Sequence, residues 1–169
     1  MKTILVGFMG TGKTTIGELL AQNLQVPHFD LDQVIVEQTG WTINQLFERF
    51  GEKSFRNLEH QLLLDHLNKD GVLSTGGGTA VMNDNLTSLK QSQVPVVLLE
   101  ASIETIFKRV SDNQARPLVN QLNFQQLTKL KQQRSSRYYA CADLVIRTDD
   151  LSPAQISAKI NHFLKQIKN

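Results

Sequence analysis

Gly7-Phe8-Met9-Gly10-Thr11-Gly12-Lys13-Thr14, entered from the apolar run Thr3-Ile4-Leu5-Val6, decides how the rest of the chain is read. The eight residues fit G-x-x-x-x-G-K-[ST] in full. They also stand where a phosphate-binding loop must stand, after a strand and at the start of a helix. Glycines let the backbone curl with its N–H groups turned inward, and the helix that follows adds the positive end of its dipole. Lys13 can reach the β- and γ-phosphates, and the Thr14 hydroxyl can ligate Mg²⁺. A glycine-rich turn without a ligand is the plain alternative, and it leaves the agreement of strand, loop and helix unexplained. The residues point to binding of ATP or GTP, with Gly10, Thr11, Gly12, Lys13, Thr14 and Thr15 as the nucleotide contacts.

Outward from the loop, short apolar runs alternate with longer helical stretches. Strands are expected at Thr3–Gly7, Pro27–Leu31, Gly71–Ser74, Val94–Leu99 and Asp143–Arg147. Helices are expected from Lys13 to Gln25, at Asp32–Thr39, and at Thr42–Phe50, where Gly51 stops the turn. Lys53–Asn68 is a longer helix with Phe55, Leu58, Leu62 and Leu63 on its apolar face. Further helices are expected at Asn83–Gln91, from a Ser102 cap to Ser111, at Phe124–Ala140, and from Ser152-Pro153 onward, with proline in the first turn. Asp112–Asn123 is polar, is broken by Pro117, and reads as an exposed loop. Alternation of this kind predicts an α/β fold: a parallel sheet with helices on both faces, binding its ligands at the carboxyl ends of the strands.

Composition narrows the class. At about 150 residues per domain, 169 residues make one domain, 1–169. Apolar residues are 40% and the ten glycines bring the sum close to that of ordinary globular domains. The longest uncharged apolar run, Val94–Leu99, is far too short to span a bilayer. Neither that run nor the N-terminal stretch reads as a membrane anchor or signal peptide. A single cysteine, Cys141, fits a reducing cytoplasm and reads as a small buried hydrophobe. The net charge of +2 comes from 18 basic and 16 acidic residues, interspersed without a basic arm. That gives no support to a nucleic-acid or membrane partner and suits an anionic small ligand.

The remaining question is what kind of nucleotide protein this is. Asn68-Lys69-Asp70-Gly71 misses the guanine-binding pattern of GTPases by one position and reads as a solvated turn. Large motor ATPases need more chain. A small-molecule kinase is left, and it needs a metal, an acceptor site, a base or orienter, and a cover against water. Asp30 and Asp32 stand two apart at the end of the second strand, where alternation turns both side chains the same way. One carboxylate could hold a metal-bound water and the other could orient or deprotonate an acceptor hydroxyl. Equally, Asp32 could simply cap the helix that follows. Arg56 could fork onto a substrate carboxylate or pair with Glu59 on a wet surface. Arg134 and Arg137, with Tyr138 and Tyr139, carry the same ambiguity. Gly76-Gly77-Gly78 would weaken any regular element, which favours close approach of backbone to a ligand over a flexible turn. Arg116, in the polar loop, could close over the nucleotide. Trp41 and the four histidines have no metal-ligand spacing and read as structural.

Taken together, these motifs resemble the shikimate kinase family over essentially the whole chain. The resemblance rests on Gly7–Thr15, Phe29-Asp30-Leu31-Asp32, Gly51-Glu52-Lys53-Ser54-Phe55-Arg56 with Glu59, Thr75-Gly76-Gly77-Gly78, Ala115-Arg116-Pro117-Leu118, and Arg134 ahead of Tyr138. It implies a P-loop three-layer α/β/α fold, similar to nucleoside monophosphate kinases. The sheet would be five-stranded and parallel, with acceptor-binding helices at about 32–60 and a mobile lid at about 111–123. It implies transfer of the γ-phosphoryl of ATP to the 3-hydroxyl of shikimate, a step of chorismate and aromatic amino acid biosynthesis. Lys13 would hold the phosphates; Thr14 would bind one Mg²⁺ per ATP, with Asp30 in the metal's water shell. Asp32 would meet the acceptor hydroxyl as the candidate base, Arg56 and Arg134 would clamp the carboxylate, and backbone at Gly77 would contact the ring hydroxyls. Arg116 would come from the lid, and Arg109 and Pro153 would lie beside adenine, with Asp149-Asp150 close to its path. The protein is expected to be a cytoplasmic monomer. Two alternatives stand beside this: a gluconate-type kinase of the same fold, and a nucleotide-dependent binding or switch module.

Overall fold

The structure, a computed structural model, describes residues 1–111 and 123–167. Five strands, β1 (Thr3–Val6), β2 (His28–Asp30), β3 (Val72–Ser74), β4 (Val96–Glu100) and β5 (Leu144–Arg147), form one sheet in the order β2-β3-β1-β4-β5. Every pairing is parallel, as the strand–helix alternation predicts. The helices are α1 (Lys13–Leu24), α2 (Leu31–Thr39), α3 (Ile43–Leu67), α4 (Asn83–Gln91), α5 (Ile103–Ser111), α6 (Phe124–Cys141) and α7 (Pro153–Gln166).

Side chains of each central strand alternate between two cores. Ile4, Val6, Leu73, Val96 and Leu98 pack with residues of α2 to α6, among them Leu31, Ile35, Leu63, Ile106 and Leu127. Leu5, Val72, Val97 and Leu99 pack with Ile16 and Leu20 of α1 and Ile156 and Ile160 of α7. The sheet is therefore covered on both faces, which leaves the carboxyl ends of its strands as the place where a ligand can enter. Phe55, Leu62 and Leu63 are buried and Leu58 is partly so, as expected of the apolar face of α3. Thr42 with Gln45, Asn123 with Gln126, and Ser152 with Gln155 each close a capping box, and Pro153 opens α7.

Most boundaries shift by a residue or two from the sequence reading, and three differences have a clear local reason. The second strand stops at Asp30 rather than Leu31, because the Asp30 carboxylate caps α2 by accepting from the N–H groups of Asp32 and Gln33. Asp32 is thus neither the cap nor a strand residue; it lies in the first helical turn. The fourth strand begins at Val96 rather than Val94, since Pro95 has no N–H to give the ladder. The two helices expected on either side of Gly51 are one element, α3, broken at Gly51 (φ 76°, ψ 165°), a backbone state open essentially to glycine alone. A short 3-10 turn, Thr79–Val81, follows the three glycines and was not foreseen. The expected lid lies, apart from Ser111 and Asn123, outside the described residues, and so does Arg116.

Candidate active site

At the carboxyl edge of the sheet lies a cavity of about 420 Å³, lined by Gly10–Ile16, Asp30, Asp32, Thr75 and Gly77, and closed at its far end by Arg109, Val110, Thr148, Leu151, Pro153 and Ile156. Its near half is the phosphate loop. Gly12 is the N-cap of α1 in the left-handed region (φ 95°), and Gly10 is there too (φ 76°), so the loop needs glycine to turn back on itself. The Lys13 ammonium donates to the carbonyls of Gly7 and Phe8, both at 2.9 Å. Behind the loop a hydrogen-bond chain steadies the first turn of α1. Ser74 Oγ donates to the Lys13 carbonyl at 2.9 Å, so the Nε2–H of His28, also at 2.9 Å, must be the donor to Ser74. Burial holds His28 below its ordinary pKa against the pull of Asp30 and Glu18, which favours this neutral ring.

Asp30 joins two parts of the site. Its Oδ2 accepts from the Thr14 hydroxyl at 2.7 Å, while Oδ1 caps α2. Two hard oxygen donors, Thr14 Oγ1 and Asp30 Oδ2, converge here, a set that suits Mg²⁺ carried in on phosphate. Among the described residues no group of three or more His, Cys, Asp or Glu could hold a metal by itself. A magnesium that keeps phosphate and water ligands does not need one.

The three glycines face the other wall. None has a positive φ. What they provide is room: a Cβ on Gly76 would stand 2.6 Å from Asp32 Oδ1, and one on Gly78 would stand 2.8 and 2.9 Å from the terminal nitrogens of Arg56. Backbone does approach closely here, as the sequence suggests, but to Asp32 and Arg56. Arg134 Nη1 donates to the Gly77 carbonyl at 3.3 Å, and the Tyr138 hydroxyl donates to the same oxygen. Asp32, Arg56, Gly77 and Arg134, separated by up to 102 positions in the chain, thus surround one short stretch of backbone.

Arg56 is not a solvated surface residue. Its Nη1 donates to Glu59 Oε2 at 2.8 Å, and Glu59 is 1% exposed. The other oxygen of Glu59 accepts from Thr79 Oγ1 at 2.7 Å. Asn85 then donates to the Thr79 carbonyl at 3.0 Å and meets His60 Nδ1 through its own carbonyl oxygen at 2.7 Å. A buried carboxylate with only one partner would be costly; Glu59 has two, and they fix where Arg56 can reach. Phe47 and Phe55 lie 4.5 Å apart (ring centroids), and both rings face the Arg56 guanidinium.

At the far end, Arg109 reaches across the cavity to Gly10 O (3.3 Å), Thr148 Oγ1 (3.1 Å) and Thr148 O (3.0 Å). Asp149 is turned away from the cavity: it accepts from the Ser102 N–H at 2.8 Å, and Thr105 N–H in turn bonds Ser102 Oγ. Neither Asp149 nor Asp150 lines the cavity. Arg137 bonds Asn83 and Tyr139 bonds Glu100, both outside the site. Cys141 is buried, and desolvation pushes its thiol up to about 11, in keeping with a small hydrophobe.

Sequence reasoning passed over Thr79, Asn85, Thr148 and the His28–Ser74 pair. No periodic signal marks them, because each acts through a partner distant in sequence. Tyr138, which the sequence reading sets beside Arg134, stands four residues after it and so shares its helix face.

The shikimate kinase family model matches residues 9–165. The shikimate kinase of Limosilactobacillus fermentum is 44% identical over 166 residues, covering 98% of this chain and 96% of that protein. The structure of shikimate kinase from Acinetobacter baumannii in complex with shikimate aligns with a TM-score of 0.89 at 34% identity, covering 98% of this chain and 93% of that one. A gluconokinase from Sinorhizobium meliloti aligns at a TM-score of 0.56 with 14% identity, which is a likeness of fold alone. With the phosphate loop and Gly77 lining one cavity, Arg56 and Arg134 set against the glycine backbone beside it, and relatives along its whole length, the chain belongs to the shikimate kinase family, whose members are ATP-dependent kinases.

Proposed function

We propose that the cavity transfers the γ-phosphoryl group of ATP to the 3-hydroxyl of shikimate, giving shikimate 3-phosphate and ADP. The observation that carries this reading is the convergence of Asp32, Arg56 and Arg134 on Gly76–Gly78, one step beyond the phosphate loop. An acceptor that is both an alcohol and a carboxylate calls for that set: two guanidinium forks for the acid and one carboxylate for the hydroxyl. ATP would lie with its phosphates on Gly10–Thr15 and its base between Arg109 and Pro153. Thr14 and Asp30 would hold one Mg²⁺, which when bound neutralises charge on the phosphates. Lys13 would leave the carbonyls of Gly7 and Phe8 for phosphate oxygens. Asp32 would orient the acceptor hydroxyl and take its proton as the phosphoryl group arrives. Phosphoryl transfer asks the protein chiefly for positioning and charge, and both are supplied by side chains of one chain, which supports a monomer. Among the described residues no helix is long and apolar enough to cross a membrane. The lone cysteine supports a cytoplasmic enzyme, and the interspersed charges support small-molecule partners rather than nucleic acid.

The test is ADP release from ATP and Mg²⁺ with shikimate, with gluconate and with no acceptor. Stimulation by shikimate alone is expected. Stimulation by gluconate would keep the fold and overturn the acceptor assignments, and release indifferent to any acceptor would leave only the nucleotide site.

A further inference from the structure

The acceptor-side geometry contains a donor that the reaction itself does not call for. The Gly77 carbonyl accepts from two side chains of α6, Arg134 Nη1 and the Tyr138 hydroxyl. Across the same peptide, the terminal nitrogens of Arg56 occupy the space that a Cβ on Gly78 would take. The Gly77–Gly78 peptide therefore lies between the two guanidinium groups, bonded to one and leaving room for the other. Tyr138 itself is buried, 3% exposed, and its hydroxyl lies against both the Gly77 carbonyl and the Arg134 side chain.

From this we infer that Tyr138 is a positioning residue of the acceptor site: by holding the Gly77–Gly78 peptide it sets the separation of Arg134 and Arg56. The inference rests on the reading that these two arginines clamp an acceptor carboxylate. The physical argument concerns what happens when that carboxylate arrives. A carbonyl oxygen has two lone pairs, and an arginine has five N–H donors in a rigid fork. Arg134 alone could not both turn its fork to an incoming anion and keep the loop in place. With Tyr138 on the same oxygen, the peptide stays fixed whatever Arg134 does. A rigid first contact is what a bidentate clamp on a small acid requires, since the cost of a misplaced partner falls directly on affinity. Burial also keeps the phenol protonated: desolvation, outweighing the nearby Arg134 charge, pushes it up to about 12, so the hydroxyl is a donor throughout any working pH.

The test is Tyr138→Phe, which keeps the ring and removes one donor. In steady-state assays the KM for shikimate should rise roughly three- to tenfold, the worth of one ordinary hydrogen bond, with the KM for ATP and the melting temperature near those of the unsubstituted enzyme. A second arm uses Arg134→Lys as background, where Tyr138→Phe should add less than twofold to the shikimate KM, because the clamp whose separation Tyr138 sets has already lost one of its two forks. An unchanged shikimate KM in Tyr138→Phe overturns the positioning role. So does a parallel rise in both KM values with a lowered melting temperature, which marks a packing role only. Full additivity of the two substitutions overturns the route through Gly77. Absence of shikimate-dependent turnover in the unsubstituted enzyme overturns the functional reading and this inference with it, so the two failures are told apart by one control.

Discussion

Two glycine loops meet in this site, and they use glycine for opposite reasons. In the phosphate loop Gly7, Gly10 and Gly12 have φ of 143°, 76° and 95°, so the backbone itself takes shapes that a side chain would oppose. In the second loop Gly76–Gly78 have no positive φ, and the space of a Cβ on Gly76 and on Gly78 is taken by Asp32 and Arg56. The first loop would offer its own N–H groups to phosphate. The second is a floor on which charged side chains are placed. A run of glycines in a sequence therefore says only that something comes close; the structure says whether that something is a ligand or the protein's own chemistry.

Substitutions can break this contrast at graded points. The largest effect is expected from Asp32→Asn, which leaves the Gly76 floor intact but removes the group proposed to meet the acceptor hydroxyl. Its kcat should fall on the order of 10²–10⁴-fold, as for loss of a positioned base, with ATP affinity retained in equilibrium binding. Turnover near normal would remove Asp32 from the chemistry. Next comes Gly78→Ala, whose methyl must displace an Arg56 already tied to Glu59. The shikimate KM should rise roughly 10- to 100-fold, as when a hydrogen bond to a charged group is lost, with the ATP KM steady. Gly12→Ala should show the mirror pattern: a weakened ATP KM, and about 1–2 kcal/mol of lost stability from the left-handed backbone, seen as a lower melting temperature. If both alanines raised both KM values alike, the distinction between the loops would fail.

A smaller effect is expected one bond further from the substrate. Thr79→Val keeps shape but takes a donor from the buried Glu59 carboxylate, and the shikimate KM should rise roughly three- to tenfold. The smallest effect concerns pH, at the nucleobase end. Burial opposes ionisation of Asp149, yet the hydrogen bonds from Ser102 and Thr105 and the Arg109 charge outweigh it, so its carboxyl sits below the usual 3.8. For an acid with a lowered folded pKa, the stability it contributes is complete above pH 3.8 and is lost as pH falls through the folded value. Melting curves taken downward from neutral pH should lose a slight part of their acid slope in Asp149→Asn. An unchanged slope would place the acid sensitivity elsewhere.

Much of this was legible in the sequence because it is local. The phosphate loop carries its own context, strand before and helix after, and the alternation of elements leaves little but a parallel sheet. Arg56 and Glu59 are three apart on one helix, so their pairing was readable, though not its burial. The Asp30–Asp32 spacing led to the right cavity by an incomplete argument: strand alternation ends at Asp30, and Asp32 reaches the site from the first turn of α2. Thr79 with Glu59 and Tyr138 with Gly77 were not readable, since those bonds join positions 20 and 61 apart and follow no period.

The two oxygens of Asp30 have a consequence for cooperativity. One is bound to the residue expected to carry the metal, the other to the first amide groups of the helix that carries Asp32. A single carboxylate thus touches both the loop expected to hold the nucleotide and the helix that carries Asp32, so a change in its bonds on one side would bear on the other. Coupling of this sort is reciprocal by thermodynamic necessity: whatever metal and nucleotide do to the hold on α2, an acceptor seated against α2 does in equal measure to the affinity for metal and nucleotide.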